Sequence, residues 1–252
     1  MGDERDEHFG RWLREIEERH LADLTFPQLS SGLRALSSTY VERRRRIGEG
    51  GALAGAGKRA AFALFYGPLH FLTVREIVRA LPGAPGRVET IVDLGCGTGA
   101  GGAAWATAHD VAPRVVGVDV HPWALAEATR TYRTFGLTSR TIKSDIASAA
   151  LPKGPAAVLA AFALNELTDG SRDTLLRRLL DRAAAGNRVL IVEPIAGFVA
   201  RWWGSWRSQV EAAGGRADEW RFRVALPPLV AKLDRAVKMD HRELTARSFW
   251  IG

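Results

Sequence analysis

A single cysteine, Cys96, stands among 252 residues, so the chain has no partner for an internal disulfide and no thiolate cluster for a metal. No apolar run approaches the roughly 18–20 residues of a membrane span, and no crossing of a bilayer is expected. The opening stretch MGDERDEHFGRW is acidic and highly charged where a secretory signal needs an apolar stretch. No such signal is expected, and a cytoplasmic location is. His70 and His121 lack a second ligand at a metal-binding spacing, so no metal site is expected. There is no internal repeat, and no low-complexity tract beyond the glycine-rich IGEGGALAGAGKR at 47–59.

What is present suffices for one large α/β domain with an accessory element. The formal charge is +7, from 35 Lys and Arg against 28 Asp and Glu. That surplus has two readings, a polyanionic partner or the arginine usage of a GC-rich genome. The run Arg43–Arg46 divides in the same way. It is either a phosphate clamp for RNA or a solvated helix end whose charges suit the helix dipole.

Hydrophobic spacing predicts helices over 6–20 and 27–47, then a loop, then a helix through AAFALFYGPLHFLTVREIVRAL that Pro68 should break or kink. Residues 1–85 therefore form a helical lead-in, closed by the PGAPG turn at 82–86, and residues 86–252 form the main domain. From 88 onward short apolar strands alternate with helices. Strands are expected at ETIVDL, RVVGVDV, RTIKSD, AAVLAAFAL and NRVLIVEP, with EWRFRVALP and ELTARSFWIG pairing at an edge. This alternation predicts a doubly wound, mostly parallel sheet.

The first of these strands runs into VDLGCGTGAGGAAW, a glycine turn that opens a helix. Such turns let a backbone approach a nucleotide-like ligand. Gly95, Gly97 and Ala100 alone fit a dinucleotide fingerprint, but the acids beside them are more informative. Asp93, Asp119 and Asp145 end three successive strands. Asp119 follows Gly95 at a distance suited to gripping a ribose diol, and Asp145 suits an adenine amino group. Asp93 would repel a pyrophosphate and attract an ammonium. S-adenosylmethionine carries an ammonium, a diol and an adenine, and no phosphate. Each acid also has a structural reading, in which it caps its own turn or helix. Cys96 reads as a small filler of the turn.

Taken together these stretches resemble the class I S-adenosylmethionine-dependent methyltransferases, with VDLGCGTG as their first motif and VVGVDV as their second. The resemblance implies a Rossmann-like seven-stranded sheet with an antiparallel edge. It also implies cofactor contacts from Asp93, Gly95, Cys96, Gly97, Gly99, Asp119, Val120, Asp145, Ile146 and Ala163. A narrower similarity, carried by ALNELTDGSRDTLLRRLL and RVLIVEPIAGFVARWWGSWR, is to the methyltransferase-like proteins of the mitochondrial small ribosomal subunit and their bacterial relatives. Many of those carry a cysteine cluster that one cysteine cannot build.

Three functions follow as alternatives: methylation of a small molecule, methylation of ribosomal RNA, and ribosome assembly with bound S-adenosylmethionine but no turnover. The fourth strand ends in FALNEL, without the Pro-Pro-aromatic motif of amino-directed DNA methyltransferases. Asn165 and Glu166 take the acceptor-facing position, with Glu166 either a base or a helix cap. Tyr66 and His70, one helical turn apart, are expected to face the acceptor with them. Trp202, Trp203 and Trp206 read as packing or as a stacking surface.

Overall fold

The protein is described by a computed structural model covering residues 2–42, 53–152, 154–195 and 202–252, so the run Arg43–Arg46 lies outside the described residues. The lead-in consists of α1 (Gly2–Leu21), α2 (Phe26–Glu42), α3 (Ala56–Ala61) and α4 (Gly67–Ala80). A single π-helical turn, Phe62–Tyr66, joins α3 to α4 without a break. The break expected at Pro68 is resolved in that turn. Proline cannot donate to the preceding turn, and the widened loop instead bonds Gly67 N–H to the Phe62 carbonyl.

The main domain follows as β1 (Thr90–Leu94), α5 (Ala100–Ala106), β2 (Arg114–Asp119), α6 (Pro122–Thr134), β3 (Ser139–Lys143) and β4 (Ala157–Ala161). It continues with α7 (Asp169–Ala184), β5 (Arg188–Glu193), α8 (Trp203–Ala212), β6 (Arg216–Phe222), α9 (Pro228–Val237) and β7 (Leu244–Ile251). The seven strands form one sheet in the order β3-β2-β1-β4-β5-β7-β6. The first five pair in parallel, and β7 runs antiparallel to both of its neighbours. The chain reverses strand order between β1 and β4, which opens a crevice at their carboxyl ends, where ligands of such sheets bind.

The strands are apolar on both faces because both are covered. Alternate residues divide between two cores. Ile91, Val115, Leu159 and Leu190 face one, and Val92, Val116, Val158 and Ile191 the other. Helix α7 and α8 close the second core with Leu175, Leu176, Leu179, Trp206 and Val210. The first core is continuous with the lead-in, whose Trp12, Leu29, Leu33, Leu36 and Phe65 are fully buried in it. Helix α1 is clasped to α6 by polar bonds as well. Trp12 donates its indole N–H to Thr131 Oγ1 at 3.0 Å, and Arg19 and His20 both reach Glu127 Oε2 at 2.8 and 3.1 Å. Those partners hold the Glu127 pKa at about 2 against the upward push of its burial. No helix among the described residues is long and apolar enough to cross a membrane.

Candidate active site

The site grows from the end of β1. Gly95, Gly97 and Gly99 have φ of 69°, 51° and 78°, a left-handed backbone that other residues adopt only with strain. The turn is also crowded. A Cβ on Gly95 would lie 2.5 Å from that of Ala163, and one on Gly97 3.1 Å from the Phe62 ring. Gly95 and Cys96 N–H both donate to the Val118 carbonyl, which ties the turn to β2.

Two carboxylates hold this end. Asp93 is buried, and its Oδ2 accepts from Gly102 N–H at 2.9 Å and from the Tyr132 hydroxyl at 3.2 Å. Burial, seconded by the charge of Asp119, pushes its pKa up to about 7 against those hydrogen bonds. Asp119 accepts from Gly97 N–H at 3.0 Å through one oxygen and from His121 N–H at 2.8 Å through the other. Cys96 is buried between them. Its burial, followed by the charges of both aspartates, holds the thiol protonated, which suits a filler and not a nucleophile.

The opposite end is built by β4 and β5. Phe162, just past β4, has a φ of 58°, unusual for a bulky residue, and is fixed by donating to the Val192 carbonyl. A 3-10 turn, Leu164–Glu166, follows. Its anchor is Glu193 at the end of β5, fully buried. Glu193 accepts from Leu164 N–H at 2.9 Å and from the Asn165 side-chain amide, while Asn165 Oδ1 accepts from the Trp202 indole at 3.1 Å. Burial raises the Glu193 pKa to about 8, although Arg247, its register partner on β7, opposes the rise. Glu166 lines the cavity and is solvent-exposed there. The weight of protein atoms near it, then the charge of Asp119, raises its pKa to about 7.

The lead-in supplies the roof. Phe62, Tyr66 and His70 would be spread over about 12 Å of an ordinary helix. Here their ring centroids are all 6.0–6.2 Å from one another. His70 stacks on Phe162 at 4.1 Å, and burial lowers its pKa to about 3, so it is neutral. The Tyr66 hydroxyl lies 3.0 Å from Ser37 Oγ on α2. Between roof and strand ends lies a cavity of about 250 Å³.

This cavity is lined by eleven of the fourteen residues singled out from the sequence: Tyr66, His70, Asp93, Gly95, Cys96, Gly97, Asp119, Val120, Ala163, Asn165 and Glu166. Gly99, Asp145 and Ile146 are not in the lining. Gly99 starts α5 and packs against Tyr132, and Ile146 is buried beneath the Gly95 turn. Asp145 lies beyond the end of the edge strand β3, exposed, with its carboxylate accepting from Ala147 N–H at 2.8 Å. It caps its own turn, the structural alternative. Sequence reading missed Glu193, Phe162 and His121. A signal for Glu193 existed, since it ends its strand in IVEP as Asp93 and Asp119 end theirs.

Residues 91–186 match the family described as methyltransferase domain. Among solved structures, the O-methyltransferase NcsB1 from neocarzinostatin biosynthesis, bound to S-adenosylmethionine and 2-hydroxy-5-methyl naphthoic acid, is 16% identical. The match covers 94% of this chain and 73% of that one, with a TM-score of 0.52. The N-methyltransferase NodS from Bradyrhizobium japonicum, with S-adenosyl-L-homocysteine, is also 16% identical, over 73% of this chain and 86% of that one, at 0.50. Precorrin 8W decarboxylase from Methanobacterium thermoautotrophicum is 17% identical over 72% and 90%, also at 0.50. No curated protein matches the chain. The fold, the glycine turn and the methyltransferase domain matched over residues 91–186 support a class I S-adenosylmethionine-dependent methyltransferase.

The lining fits that cofactor. Asp93, Asp119, Glu166 and Glu193 supply carboxyl groups, and among the described residues no Lys or Arg lines the cavity. Such a wall suits a ligand with a sulfonium, an ammonium and a diol, and it repels a pyrophosphate. Among the described residues no group of His, Cys, Asp and Glu is placed to hold a metal ion.

Proposed function

We propose that the enzyme methylates a small molecule held between the Phe62–His70 roof and the Asn165–Glu166 turn. The observation that carries this reading is the enclosure of the cavity by aromatic side chains from the lead-in, with no cation among its described lining residues. A site for a polyanion would need lysines or arginines facing the ligand.

When bound, S-adenosylmethionine supplies an electrophilic methyl group. The residues of the chain do the rest by holding and orienting. Asp119 keeps lone pairs beyond its two backbone bonds and takes the ribose hydroxyls, with Val120 beside it. Asp93 acts through the turn it orders, by fixing Gly102 and Tyr132. Gly95 and Gly97 let the backbone come close, and Ala163 with Cys96 shapes the floor. Asn165 is a positioning residue, since both ends of its amide are engaged by Glu193 and Trp202. Glu166 faces the acceptor as the group able to take a proton near neutral pH. Tyr66 and neutral His70 form the acceptor wall, where exclusion of water strengthens every charge interaction.

The test is transfer of tritium from labelled cofactor, with a cell-extract metabolite pool set against ribosomal subunits. Label in the small-molecule fraction is expected. Label confined to ribosomal RNA would replace this reading with the RNA one. Binding without any transfer would favour an assembly role.

A further inference from the structure

The acceptor end of the cavity has a charge pattern that selects among nucleophiles. Four carboxyl groups line the cavity: Asp93, Asp119, Glu166 and Glu193. Three of them are engaged by protein donors, as described above. Among the described residues the Glu166 carboxyl makes no hydrogen bond, and it faces the cavity. The other groups around it are Asn165, held by Glu193 and Trp202, the carboxylates just named, the neutral ring of His70, and His121 at the end of β2. His121 is itself held away from the charged form, by burial first and then by Arg59. The walls are the rings of Phe62, Tyr66 and Phe162.

Consider the charge that develops as each kind of acceptor reacts. An oxygen acceptor gains negative charge as it loses its proton, and the ionised carboxylates of the cavity oppose that charge. A nitrogen acceptor reacts as a neutral lone pair and gains positive charge on the way to product. Asp119 and, where ionised, Glu166 stabilise that change in the transition state. Aromatic faces add to it, since they attract cations.

We propose that the acceptor atom is the amino nitrogen of an aromatic amine and that Glu166 receives its proton. This rests on reading the cavity as a small-molecule site. The nitrogen lone pair forms the bond to the methyl carbon as the carbon–sulfur bond breaks and its electron pair returns to sulfur. The N–H proton of the product passes to the Glu166 carboxylate, leaving a neutral methylated amine, and the carboxyl group returns the proton to solvent. An aromatic amine is weakly basic, so its alkylated cation gives up that proton readily to a carboxylate whose pKa is about 7.

The experiment combines product chemistry with binding. The enzyme is incubated with tritiated S-adenosylmethionine and a metabolite extract, labelled products are first extracted away from the unreacted cofactor into organic solvent at high pH, and their retention on a cation exchanger at low pH is then measured. In parallel, calorimetry measures 4-ethylaniline, 4-ethylphenol and 4-ethylbenzoate against enzyme saturated with S-adenosylhomocysteine. Retention of label on the cation exchanger is expected, with the aniline binding at least about tenfold tighter than the benzoate. Glu166→Gln should lower turnover by about 10²-fold with little change in aniline affinity. It should also remove the rise of kcat with pH through neutrality, and Glu166→Asp should restore part of that rise. Label in the unretained fraction, tighter binding of the benzoate or phenol, or an unchanged pH profile in Glu166→Gln would overturn the amine assignment while sparing the small-molecule reading. Label found only in ribosomal subunits would overturn both.

Discussion

The two ends of the cavity use the same residue types for different work. At the glycine-turn end, Asp93 and Asp119 spend their oxygens on Gly102, Tyr132, Gly97 and His121, so both acids first shape backbone. At the end built by β4 and β5 Glu193 does the same for Leu164 and Asn165, but Glu166 beside them is left facing the cavity. A carboxylate at a strand end is therefore not yet a ligand contact. The N–H groups within its reach decide whether it holds the fold or is left for chemistry.

Substitutions should separate these roles. The largest effect is expected for Asp93→Ala, which orphans the buried Gly102 N–H and weakens the tie to Tyr132. It should cost about 2–4 kcal/mol of stability, measured by urea denaturation. Next, Asp119→Ala should weaken binding of S-adenosylhomocysteine by about 1.5–3 kcal/mol in a protein that still folds, measured by calorimetry. An Asp119→Ala protein with unchanged affinity would place Asp119 with the backbone-shaping acids alone.

The pH dependence of stability comes third. Burial raises the pKa values of Asp93 and Glu193 to about 7 and 8, so the folded state holds more protons than the unfolded one until those values are passed. Stability should fall with rising pH by up to about 1.4 kcal/mol per pH unit for each of these two groups between its unfolded and folded values, and level off once the folded value is passed. His70 works in the opposite sense. Its folded pKa is about 3 against 6.5 unfolded, so its contribution grows as pH rises to about 6.5 and is constant above. The carboxyl effect is thus isolated between pH 6.5 and 8. Urea titrations across that window should show a decline, and Glu193→Gln should flatten it. The smallest effect is expected for Tyr66→Phe, which gives up the bond to Ser37 for about 0.5–1.5 kcal/mol and should leave cofactor affinity unchanged.

Much of this was legible in the chain before its structure. The central strands are short apolar runs flanked by turn residues, and ETIVDL, RVVGVDV and NRVLIVEP lie where they were expected because burial on both faces leaves little else for such runs to do. The glycine turn was legible because its φ values admit almost no other residue. Asp145 stands apart from Asp93 and Asp119 in the structure. It follows β3, an edge strand, and its carboxylate is engaged by Ala147 N–H of its own turn, while the cavity lining stops short of it. Glu193 and Phe162 were hidden because their roles come from β5 pairing with β7 and from a positive φ, and neither has a local signature. The lead-in was read as helical from its spacing. That its Trp12 and Leu33 share a core with Ile91 and Leu159 is a tertiary fact.

The π turn at Phe62–Tyr66 sets two rotational phases in what is otherwise one rod. One extra residue in a helix turns everything upstream by about 100° relative to everything downstream. Helix α3 can therefore meet α2, where Gly32 approaches the Gly57 backbone too closely for any side chain, while α4 lays Val74 and Ile77 into the sheet core. Removing one residue from this turn would restore a regular helix and force a choice between those two contacts. The roof of the cavity thus depends on an insertion of single-residue length, and shortening the chain there by one should be far more damaging than replacing any one side chain in it.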